Sequence, residues 1–436
     1  MKTILVPARE LPVVDEPAVL VVGAGPAGVA AAICAARQGA DTMLIEQTGD
    51  VGGVATTGLM SHWTGKTRGG FYEELLTRSV EAEKSMDMAD RDNKPRHVIN
   101  PEILKTLLLD MLDEAGVRLR LYTFSSEALL EGDQVVGVIT QSKAGQQVIR
   151  ARVVIDATGD GDIAASAGVP FYKGRESDGK MQPVTLMFKV AGVDINRGVF
   201  PGSFEETFPL PGGDIQTLGR QEIPAPAGHV LLYPSTLPGI VTCNMTNCID
   251  IDGTAPEDLT RAAQVCRRQI APIVTFLRKH VPGFEQCYPI SSASLIGVRE
   301  TRHFEGLKTI TEEDIRAARV FEDWAVTKAH FNFDVHNLTG SGLDETGEQR
   351  HFKQSKGYTI PYGCLVPKTK DGLLLAGRNI SGTHKAHSNF RVMPICANIG
   401  QAAGTAAALC AQQYIKPRML DVKTLQDKLI EQGVTL

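Results

Sequence analysis

The chain has 436 residues, of which 43% are hydrophobic and 22% are charged, so it can bury a large core and is not a disordered chain. Its length is typical of about two or three domains. The formal net charge is -5 at pH 7, which gives no electrostatic reason to expect a nucleic acid or an anionic membrane as a partner.

The N-terminus and the cysteines bear on compartment and metal binding. Pro7 interrupts the short apolar run near the start, which is not the layout of a secretory signal, so we expect a cytoplasmic protein. The eight cysteines form no C-x-x-C motif. Cys34, Cys396 and Cys410 fall in predicted helices, where a thiol is usually a small core side chain, and the sequence predicts no metal site.

A strand and a glycine turn open the most informative stretch of the chain. The apolar run at residues 19–22 predicts a buried parallel strand. Gly23, Gly25 and Gly28 follow with G-x-G-x-x-G spacing. In that motif the first glycine permits the turn, the second lets backbone approach a pyrophosphate, and the third lets the helix pack closely on the strand.

The next helix and a second strand complete a nucleotide-binding unit. Pro26 lies early in the helix, whose free amides and dipole would face a phosphate. Glu46 ends the second strand, residues 42–45, where its carboxylate could accept both hydroxyls of a ribose. This order of elements predicts a dinucleotide site. The alternative, a transmembrane helix over the uncharged residues 18–36, is disfavoured by the glycines and the proline within it.

The following segment alternates between helical and extended patterns. A glycine-rich loop at residues 51–58 could continue along a bound cofactor. Residues 71–84 and 101–114 predict helices. A small antiparallel sheet is then predicted, with strands at residues 117–121, 134–140 and 147–155.

A second glycine-containing strand end occurs at residues 156–162, before a predicted helix at residues 163–167. It also contains G-x-G-x-x-A, so it could be a second dinucleotide site. Asp160 and Asp162 argue against that, because they would face phosphate charge at the start of the helix. We interpret the segment as a strand end that touches a cofactor held by the first motif.

The composition changes at residues 181–355, where prolines and glycines multiply and strands are short. Helices are plausible there at residues 259–280 and 312–328. The tail returns to an α/β pattern, with a buried strand at residues 373–376 and a charge-free, alanine-rich helix at residues 394–412. We therefore predict an α/β fold in which a Rossmann-like domain, built from residues 1–180 and 356–436, carries an inserted mixed α+β substrate domain, residues 181–355.

Four stretches resemble one known family: GAGPAG with Glu46, GGVATTG, IDATGDGDIAASAG, and the tail from LLLAGRN to AAGTAAA. Together they are similar to the FAD-dependent oxidoreductases of the glutathione-reductase-like superfamily, which has two dinucleotide-binding domains and is distantly related to fumarate reductase flavoproteins. QPVTLMFKV and GVRETRHFEGLKTITEEDI extend the likeness over nearly the whole chain. The resemblance implies FAD in an extended conformation.

The resemblance also implies cofactor contacts for individual residues. The pyrophosphate would be held by Gly23, Gly25, Pro26, Ala27 and Gly28, and the adenosine ribose by Glu46. The path towards the flavin ring would be lined by Gln47, Gly52, Gly53, Val54, Ala55 and Thr56. The adenosine half would lie beside Ala157, Thr158 and Gly159, with Asp162 nearby. The ribitol and the ring would be reached by the tail motif, which includes Gly377, Arg378, Arg391 and Gln401.

Two features of the tail leave alternatives. Arg378 stands where the wider superfamily has the aspartate that holds the ribitol chain, so it could bind a phosphate oxygen instead. The N-terminus of the helix at residues 394–412 could stabilise the negative charge of a reduced flavin, and Gly400 and Gly404 leave room for backbone or cofactor. The alternative is a packed, alanine-rich helix.

Flavin chemistry needs a hydride donor or acceptor over N5 and usually a group that takes or gives a proton. His62 follows the glycine loop and His384 lies in the tail motif, so both are candidate acids or bases. Arg299 is a candidate to bind a carboxylate substrate, and the alternative is an internal ion-pair network with Glu300 and Arg302. His387 and Arg391 are further candidates.

Cys243 and Cys248 have the C-x-x-x-x-C spacing of the redox disulfide in glutathione reductase. Because they fall in a predicted strand, their odd separation puts them on opposite faces, which disfavours a dithiol.

We therefore predict an FAD-dependent oxidoreductase that transfers a hydride between a small organic substrate and flavin N5. The alternatives are a flavin-dependent double-bond reductase and a flavin-bearing subunit that passes electrons to a partner protein. No iron–sulfur cysteine pattern occurs, so such a partner would carry its own cluster. A homo-oligomer is compatible with the sequence.

Overall fold

The computed structural model describes residues 2–85, 97–343 and 352–436. The strands are β1 Val13–Asp15, β2 Val19–Val22, β3 Thr42–Ile45, β4 His62–Trp63, β5 His97–Val98, β6 Arg118–Arg120, β7 Phe124–Glu131, β8 Gln134–Ser142, β9 Gly145–Arg150, β10 Val153–Asp156, β11 Phe171–Lys173, β12 Phe188–Ala191, β13 Pro209–Leu210, β14 Gly213–Asp214, β15 Leu232–Pro234, β16 Val241–Cys243, β17 Tyr288–Ser292, β18 Arg302–Phe304, β19 Trp324–Ala329, β20 Tyr358–Pro361 and β21 Leu373–Leu375. The helices are α1 Pro26–Arg37, α2 Gly70–Ser85, α3 Pro101–Glu114, α4 Asp162–Ser166, α5 Ile215–Glu222, α6 Pro256–His280, α7 Glu312–Arg316, α8 His384–Phe390, α9 Met393–Gln413 and α10 Val422–Glu431.

A parallel sheet with the strand order β21-β10-β2-β3-β6 lies at the centre of the larger core. Strands β2, β3 and β10 are buried over their whole length, as expected for parallel strands covered on both faces. Strand β21 comes from the tail and pairs with β10, with Leu374 opposite Ile155. The tail thus completes the sheet that begins at Val19, and the predicted α/β fold with a Rossmann-like sheet is confirmed.

Helices α1 and α9 pack beside this sheet with their backbones in contact. A β-carbon at Gly400 would lie 2.0 Å from the carbonyl oxygen of Ala27, and one at Gly404 would lie 2.1 Å from that of Ala31. Glycine at these two positions therefore makes room for the backbone of α1. Helix α9 is buried from its first residue to Ala411, so it is an interior helix packed through small residues.

Strands β7, β8 and β9 form an antiparallel sheet, in which β7 was not predicted, and β1 pairs with β9. The prediction was wrong for β6, which instead pairs parallel with β3 at the edge of the central sheet. The predicted strand at residues 147–155 is two strands, β9 and β10, which belong to different sheets. An alternating pattern shows that a strand is half buried, but it does not identify the partner strand.

A second group of buried apolar side chains lies between residues 184 and 298. Its sheet has the order β15-β16-β12-β17. The chain enters and leaves this region through a hydrogen-bonded pair that we call the neck, Thr185 and Gly297, whose amides donate to each other's carbonyl oxygens at 3.2 and 2.8 Å. Buried side chains between residues 304 and 333 pack with the larger core. The predicted limits of the inserted domain stay a prediction.

The helix predicted at residues 312–328 is wrong over most of its length. Helix α7 begins with a capping box between Thr311 and Asp314 and ends at Arg316. Ala318 then adopts a positive φ of 50°, which stops the helix. Residues Trp324–Ala329 form β19, because pairing with β20 supplies backbone partners that the local pattern could not show.

The uncharged stretch at residues 18–36 is divided between β2 and the short helix α1. Among the described residues, no single helix has both the length and the apolar composition needed to cross a membrane. Helices α8 and α9 pass that test only as a pair, by length and composition, and they are bent by 92° where they meet.

Candidate functional site

Three glycines shape the turn between β2 and α1, each for a different reason. Gly23 has a φ of +94°, and a β-carbon there would lie 2.7 Å from the carbonyl oxygen of Ala157. A β-carbon at Gly28 would lie 1.8 Å from the carbonyl oxygen of Gly23. At Gly25 a β-carbon would meet nothing within 4 Å. The first and third glycines thus allow backbone packing, whereas the second faces open space.

The N-terminus of α1 opens onto the space at Gly25. Gly25 is the N-cap residue, with no side-chain hydrogen bond to the helix, and Pro26 and Ala27 follow in the first turn. The first amides of a helix have no intrahelical partner and lie at the positive end of its dipole. The turn therefore offers backbone donors to an anion and fits the pyrophosphate of FAD.

Glu46 is held beside this turn at the end of β3. Its Oε2 accepts a hydrogen bond from the Ala24 amide at 2.7 Å, and its Oε1 accepts one from the Thr48 amide at 2.8 Å. Each carboxylate oxygen keeps a further lone pair, so the oriented carboxylate could also accept hydrogen bonds from ribose hydroxyls. The neighbouring Gln47 is exposed.

The glycine-rich loop lies against the same turn. The amide of Gly52 donates to the Ala24 carbonyl at 2.7 Å, and a β-carbon at Gly53 would lie 3.0 Å from the Cα of Gly25. Val54 and Ala55 complete a 3₁₀ turn that begins at Gly53. The loop therefore lies beside the glycine turn, and its predicted contact with a bound cofactor stays a prediction.

Two threonines of the loop differ in what their hydroxyls do. Thr56 Oγ1 donates to the carbonyl oxygen of Val51 at 2.6 Å, so it holds the loop itself. Thr57 Oγ1 is buried and has no hydrogen-bond partner in the described part of the chain. A buried polar atom without a partner marks a place where a ligand can bind, which fits a cofactor along this loop. Thr57 lies in the GGVATTG motif but is not among the individual cofactor contacts that the resemblance implies.

The end of β10 reaches the glycine turn from the other side. Backbone atoms of Ala157 and Thr158 lie against Gly23, so the predicted strand end is beside the glycine turn. The carboxyl group of Asp156 accepts hydrogen bonds from the Thr158 amide and hydroxyl, at 3.1 and 2.7 Å, and from the Ala164 amide at 2.8 Å. Burial nevertheless raises the pKa of Asp156 to about 6.

The tail residues fall into different surroundings. A β-carbon at Gly377 would lie 3.1 Å from the Cβ of Ala27, so Gly377 is at the glycine turn. Arg378 Nη2 lies 2.8 Å from Asp160 Oδ1 and close to Gly159, so its charge is paired within the protein.

Asp162 and Gln401 are engaged with other parts of the protein. Asp162 is paired with Arg302 at 2.8 Å. Gln401 accepts from the Phe71 amide at 2.9 Å and donates to Gln432 at 2.9 Å, so both ends of its amide are used between α9, α2 and the C-terminus.

A buried group of charged side chains joins both cores. Arg299 Nη1 donates to the carbonyl oxygen of Pro183 at 2.6 Å, next to the neck. Arg391 Nη2 donates to Asp334 Oδ2 at 3.0 Å, and His336 Nε2 lies 3.4 Å from the same oxygen. Sequence reasoning missed Asp334 and His336, which lie in the segment assigned to the inserted domain and carry no motif.

Burial and the neighbouring charges set the protonation of this group. Burial, then repulsion from Arg391, lowers the pKa of Arg299 to about 10, so it stays cationic at neutral pH. Burial, then Arg299, lowers the pKa of His336 to about 4. Burial opposes ionisation of Asp334, but His336 and the two arginines hold the pKa of its carboxyl group below its usual range. The cations Arg299 and Arg391 therefore share one anionic neighbour, Asp334.

Buried polar atoms without partners surround the group. Arg391 Nε, His229 Nδ1, Asn244 Oδ1 and Gln182 Nε2 have no hydrogen-bond partner among the described residues. Burial, then His336, lowers the pKa of His229 to about 3, so its ring is neutral. Such atoms in one region are typical of a ligand site.

The three candidate catalytic residues are divided between two groups. His62, on β4, is buried and packs its ring against Tyr233 of β15, and Tyr233 also lies within electrostatic range of Arg299. His384 belongs to a different group, because its Nδ1 lies 2.5 Å from Glu300 Oε1. Glu300 is therefore paired with histidines, and an ion pair between Arg299 and Glu300 is not formed among the described residues.

The cysteines are buried thiols in the part of the chain that the structure describes. Burial raises the pKa of Cys243 well above its ordinary value and that of Cys248 to about 11. Because the thiolate is the reactive form, neither is suited to redox exchange.

The profile of the FAD dependent oxidoreductase family matches residues 18–429. Digeranylgeranylglycerophospholipid reductase 2 of Methanopyrus kandleri is 29% identical over 209 residues, which are 44% of this chain and 51% of that protein. The digeranylgeranylglycerophospholipid reductase of Methanosarcina mazei is 26% identical over 233 residues, 46% of this chain and 53% of that protein. The chain thus spans about half the length of the curated relatives that it matches.

Among solved structures, a geranylgeranyl bacteriochlorophyll reductase-like protein from Thermoplasma acidophilum resembles this chain with a TM-score of 0.48 and 14% identity. That match covers 96% of this chain and 84% of the other.

Proposed function

The chain belongs to the FAD dependent oxidoreductase family, and we propose that it binds FAD along Glu46, the glycine turn and the loop at residues 51–58, and transfers a hydride between a small organic substrate and flavin N5. When bound, FAD supplies the hydride chemistry at N5. The open space at Gly25, facing the free amides of α1, is the observation that carries this placement. A closer position within the glutathione-reductase-like superfamily, with fumarate reductase flavoproteins as distant relatives, stays a prediction.

Replacement of Gly25 by alanine tests the placement. Gly25 has a φ of −69°, which any residue adopts, and the added methyl group meets nothing within 4 Å, so the Gly25→Ala variant should fold as the wild type does. A methyl group directed at the pyrophosphate should weaken FAD binding about tenfold or more, equal to about 1.4 kcal/mol. Titration with FAD, followed by protein fluorescence, measures the change.

Gly340→Ala is the matched control, because its methyl group would make an ordinary contact 3.5 Å from Asn337 Nδ2. Gly340→Ala should bind FAD as the wild type does. A Gly25→Ala protein that keeps wild-type FAD affinity would contradict the placement.

The buried arginines support an anionic substrate, such as a carboxylate. Arg299 and Arg391 together carry one more positive charge than Asp334 can balance, and both lie away from bulk solvent. A buried excess of positive charge favours an anionic ligand over a neutral one. The ring of His62 against Tyr233, near Arg299, supports its role as the proton donor or acceptor of the reaction.

A series of carboxylates and their neutral amides tests this substrate class, with perturbation of the flavin absorbance as the readout. The Arg299→Gln variant should bind the carboxylates about tenfold more weakly than the wild type and the amides equally well. Arg302→Gln removes a guanidinium that is paired with Asp162, and it should change the affinity for neither the carboxylates nor the amides. If Arg299→Gln weakened the binding of carboxylates and amides equally, an anionic substrate would be contradicted.

A double-bond reductase is the second candidate function, because the relatives from M. kandleri and M. mazei are named reductases. Protein reduced chemically without oxygen should then be reoxidised by an α,β-unsaturated acid, and its saturated counterpart should not reduce the oxidised protein. Reduction of the oxidised protein by the saturated acid, without reoxidation of the reduced protein by the unsaturated acid, would favour a dehydrogenase. Reoxidation only by another protein would favour an electron-transfer subunit.

A further inference from the structure

Glu300, His303 and His384 bring three donor atoms together inside the protein. Glu300 Oε1 lies 2.8 Å from His303 Nε2 and 2.5 Å from His384 Nδ1. One ligand atom from each residue lies within 4.8 Å of the other two. The side chains are 0%, 1% and 8% exposed, respectively, so bulk water does not solvate them. Two imidazole nitrogens therefore converge on one carboxylate oxygen, with all three donor atoms close enough to share one ion.

In this arrangement lone pairs face one another unless a cation, either a proton or a metal ion, lies between them. His303 Nδ1 lies 3.1 Å from the carbonyl oxygen of Gly382, which can only accept a hydrogen bond, so Nδ1 carries the proton. In a neutral ring Nε2 then has a lone pair, and it faces the lone pairs of Glu300 Oε1. That oxygen also faces His384 Nδ1. A cation between the three atoms uses all of these lone pairs at once.

Each of the three residues is oriented by a separate second contact. Glu300 Oε2 accepts from the Gln182 amide at 3.0 Å, which turns Oε1 towards the histidines. The ring of His303 is fixed by the Gly382 carbonyl and by stacking on Tyr172, with ring centroids 4.9 Å apart. A metal-binding histidine usually donates its other ring N–H to a carbonyl or carboxylate in this way.

The start of α8 is also held in place. The backbone amide of His384 donates to Glu176 Oε1 at 3.2 Å, and the Tyr172 hydroxyl donates to the same oxygen at 2.9 Å. This contact fixes the position from which His384 reaches Glu300. The three ligands are therefore oriented before any ion binds, which lowers the cost of binding one.

We propose that this site binds one divalent transition-metal ion through a Glu300 oxygen, His303 Nε2 and His384 Nδ1. Two imidazole nitrogens and one carboxylate suit Zn²⁺ or Fe²⁺. Three protein ligands leave a coordination position for water or another donor. The ion joins a segment next to the neck to the start of α8, across 84 residues of sequence between Glu300 and His384. Cysteine spacing, on which the prediction of no metal site rested, cannot indicate a site made of two histidines and a glutamate.

Cobalt titration of the wild-type holoprotein tests the site without any variant. After treatment with a chelator and its removal, added Co²⁺ should develop visible d–d absorption bands that saturate at one ion per chain, and Zn²⁺ should abolish them. Elemental analysis of the untreated protein gives the ion that it acquires. Absence of bands in the wild type together with absence of retained metal would overturn the proposal.

Variants assign the ligands. Glu300→Gln, His303→Asn and His384→Asn should each weaken Co²⁺ binding about tenfold or more, whereas His330→Asn, which removes a half-buried histidine outside the cluster, should not. Circular dichroism shows which variants are folded. Full Co²⁺ bands in folded His303→Asn and His384→Asn proteins would also overturn the assignment. Because FAD content is recorded separately, failure here is distinguishable from failure of the proposed cofactor site.

Discussion

Asp156 is the residue at which burial and hydrogen bonding are most clearly opposed. Its carboxyl group accepts three hydrogen bonds, which favour the ionised form, yet burial outweighs them and raises its pKa to about 6. The folded chain therefore holds this proton more tightly than the unfolded chain, whose aspartates titrate near pH 4, at about 3.9. The group destabilises the fold increasingly as the pH rises through this window.

We expect the Asp156→Asn variant to lose this pH dependence. The free energy of unfolding of the variant relative to wild type should rise by about 2–3 kcal/mol between about pH 4 and about pH 7. Only the wild type has a buried carboxyl group whose ionisation destabilises the fold over this range. Urea unfolding at a series of pH values measures the difference. A difference that is constant with pH would show that the pKa of Asp156 is the same in the folded and the unfolded chain.

Residues that act together within one continuous segment of the chain could be identified from the sequence. Gly23, Gly25, Gly28 and Glu46 lie together as the motif predicts, because a strand, a turn and a helix are local structures. The sequence did not identify the group formed by Arg391, Asp334 and His336. Its members come from separate segments, and only packing of the whole chain brings their charges together.

At the scale of elements, the contact between α1 and α9 joins the glycine turn to the tail. A Gly404→Ala substitution would place a methyl group 2.1 Å from the Ala31 carbonyl oxygen, so one helix must move. We expect the variant to lose about 1–3 kcal/mol of unfolding free energy, as is usual for overpacking. Because α1 also carries the glycine turn, FAD content should fall as well.

Chemical denaturation and flavin absorbance measure these two effects in the same samples. Gly340→Ala again provides a glycine whose replacement makes an ordinary contact. Wild-type stability in Gly404→Ala would mean that the helices separate without cost.

Elements that carry their own end signals were predicted well. Helix α3 covers residues Pro101–Glu114, as the sequence predicts, because Asn100 caps it by accepting from the Glu102 amide at 3.0 Å and its apolar spacing is local. Helix α8 was not predicted, since its buried residues include His384, His387 and Asn389, whose polarity gives no core-facing pattern. Tertiary contacts decided both α8 and the strand β19.

For the whole molecule, the two cores are separate groups of buried apolar side chains that are joined by polar contacts. Ser61 and Thr242 share a hydrogen bond between their hydroxyls at 3.0 Å, and His62 packs on Tyr233. We expect calorimetry to show two unfolding transitions, of which FAD shifts only that of the larger core. At a free concentration one hundred times its Kd, FAD should stabilise that core by about 2.7 kcal/mol.

The Gly25→Ala variant is the control for this measurement, because it keeps both cores and weakens the FAD site. At the same FAD concentration, about ten times the variant's weakened Kd, its larger core should be stabilised by only about 1.4 kcal/mol. A single transition that moves as a whole would show that the cores unfold as one unit.

The neck has a consequence for how such a protein can change over generations. Because Thr185 and Gly297 are hydrogen-bonded to each other, any segment whose two ends lie side by side can be joined to the host at this point without altering the path of the surrounding chain. If the proposed substrate site is correct, exchange of this segment would replace part of it and leave the glycine turn intact. Selection can thus vary substrate choice and cofactor retention as separate traits.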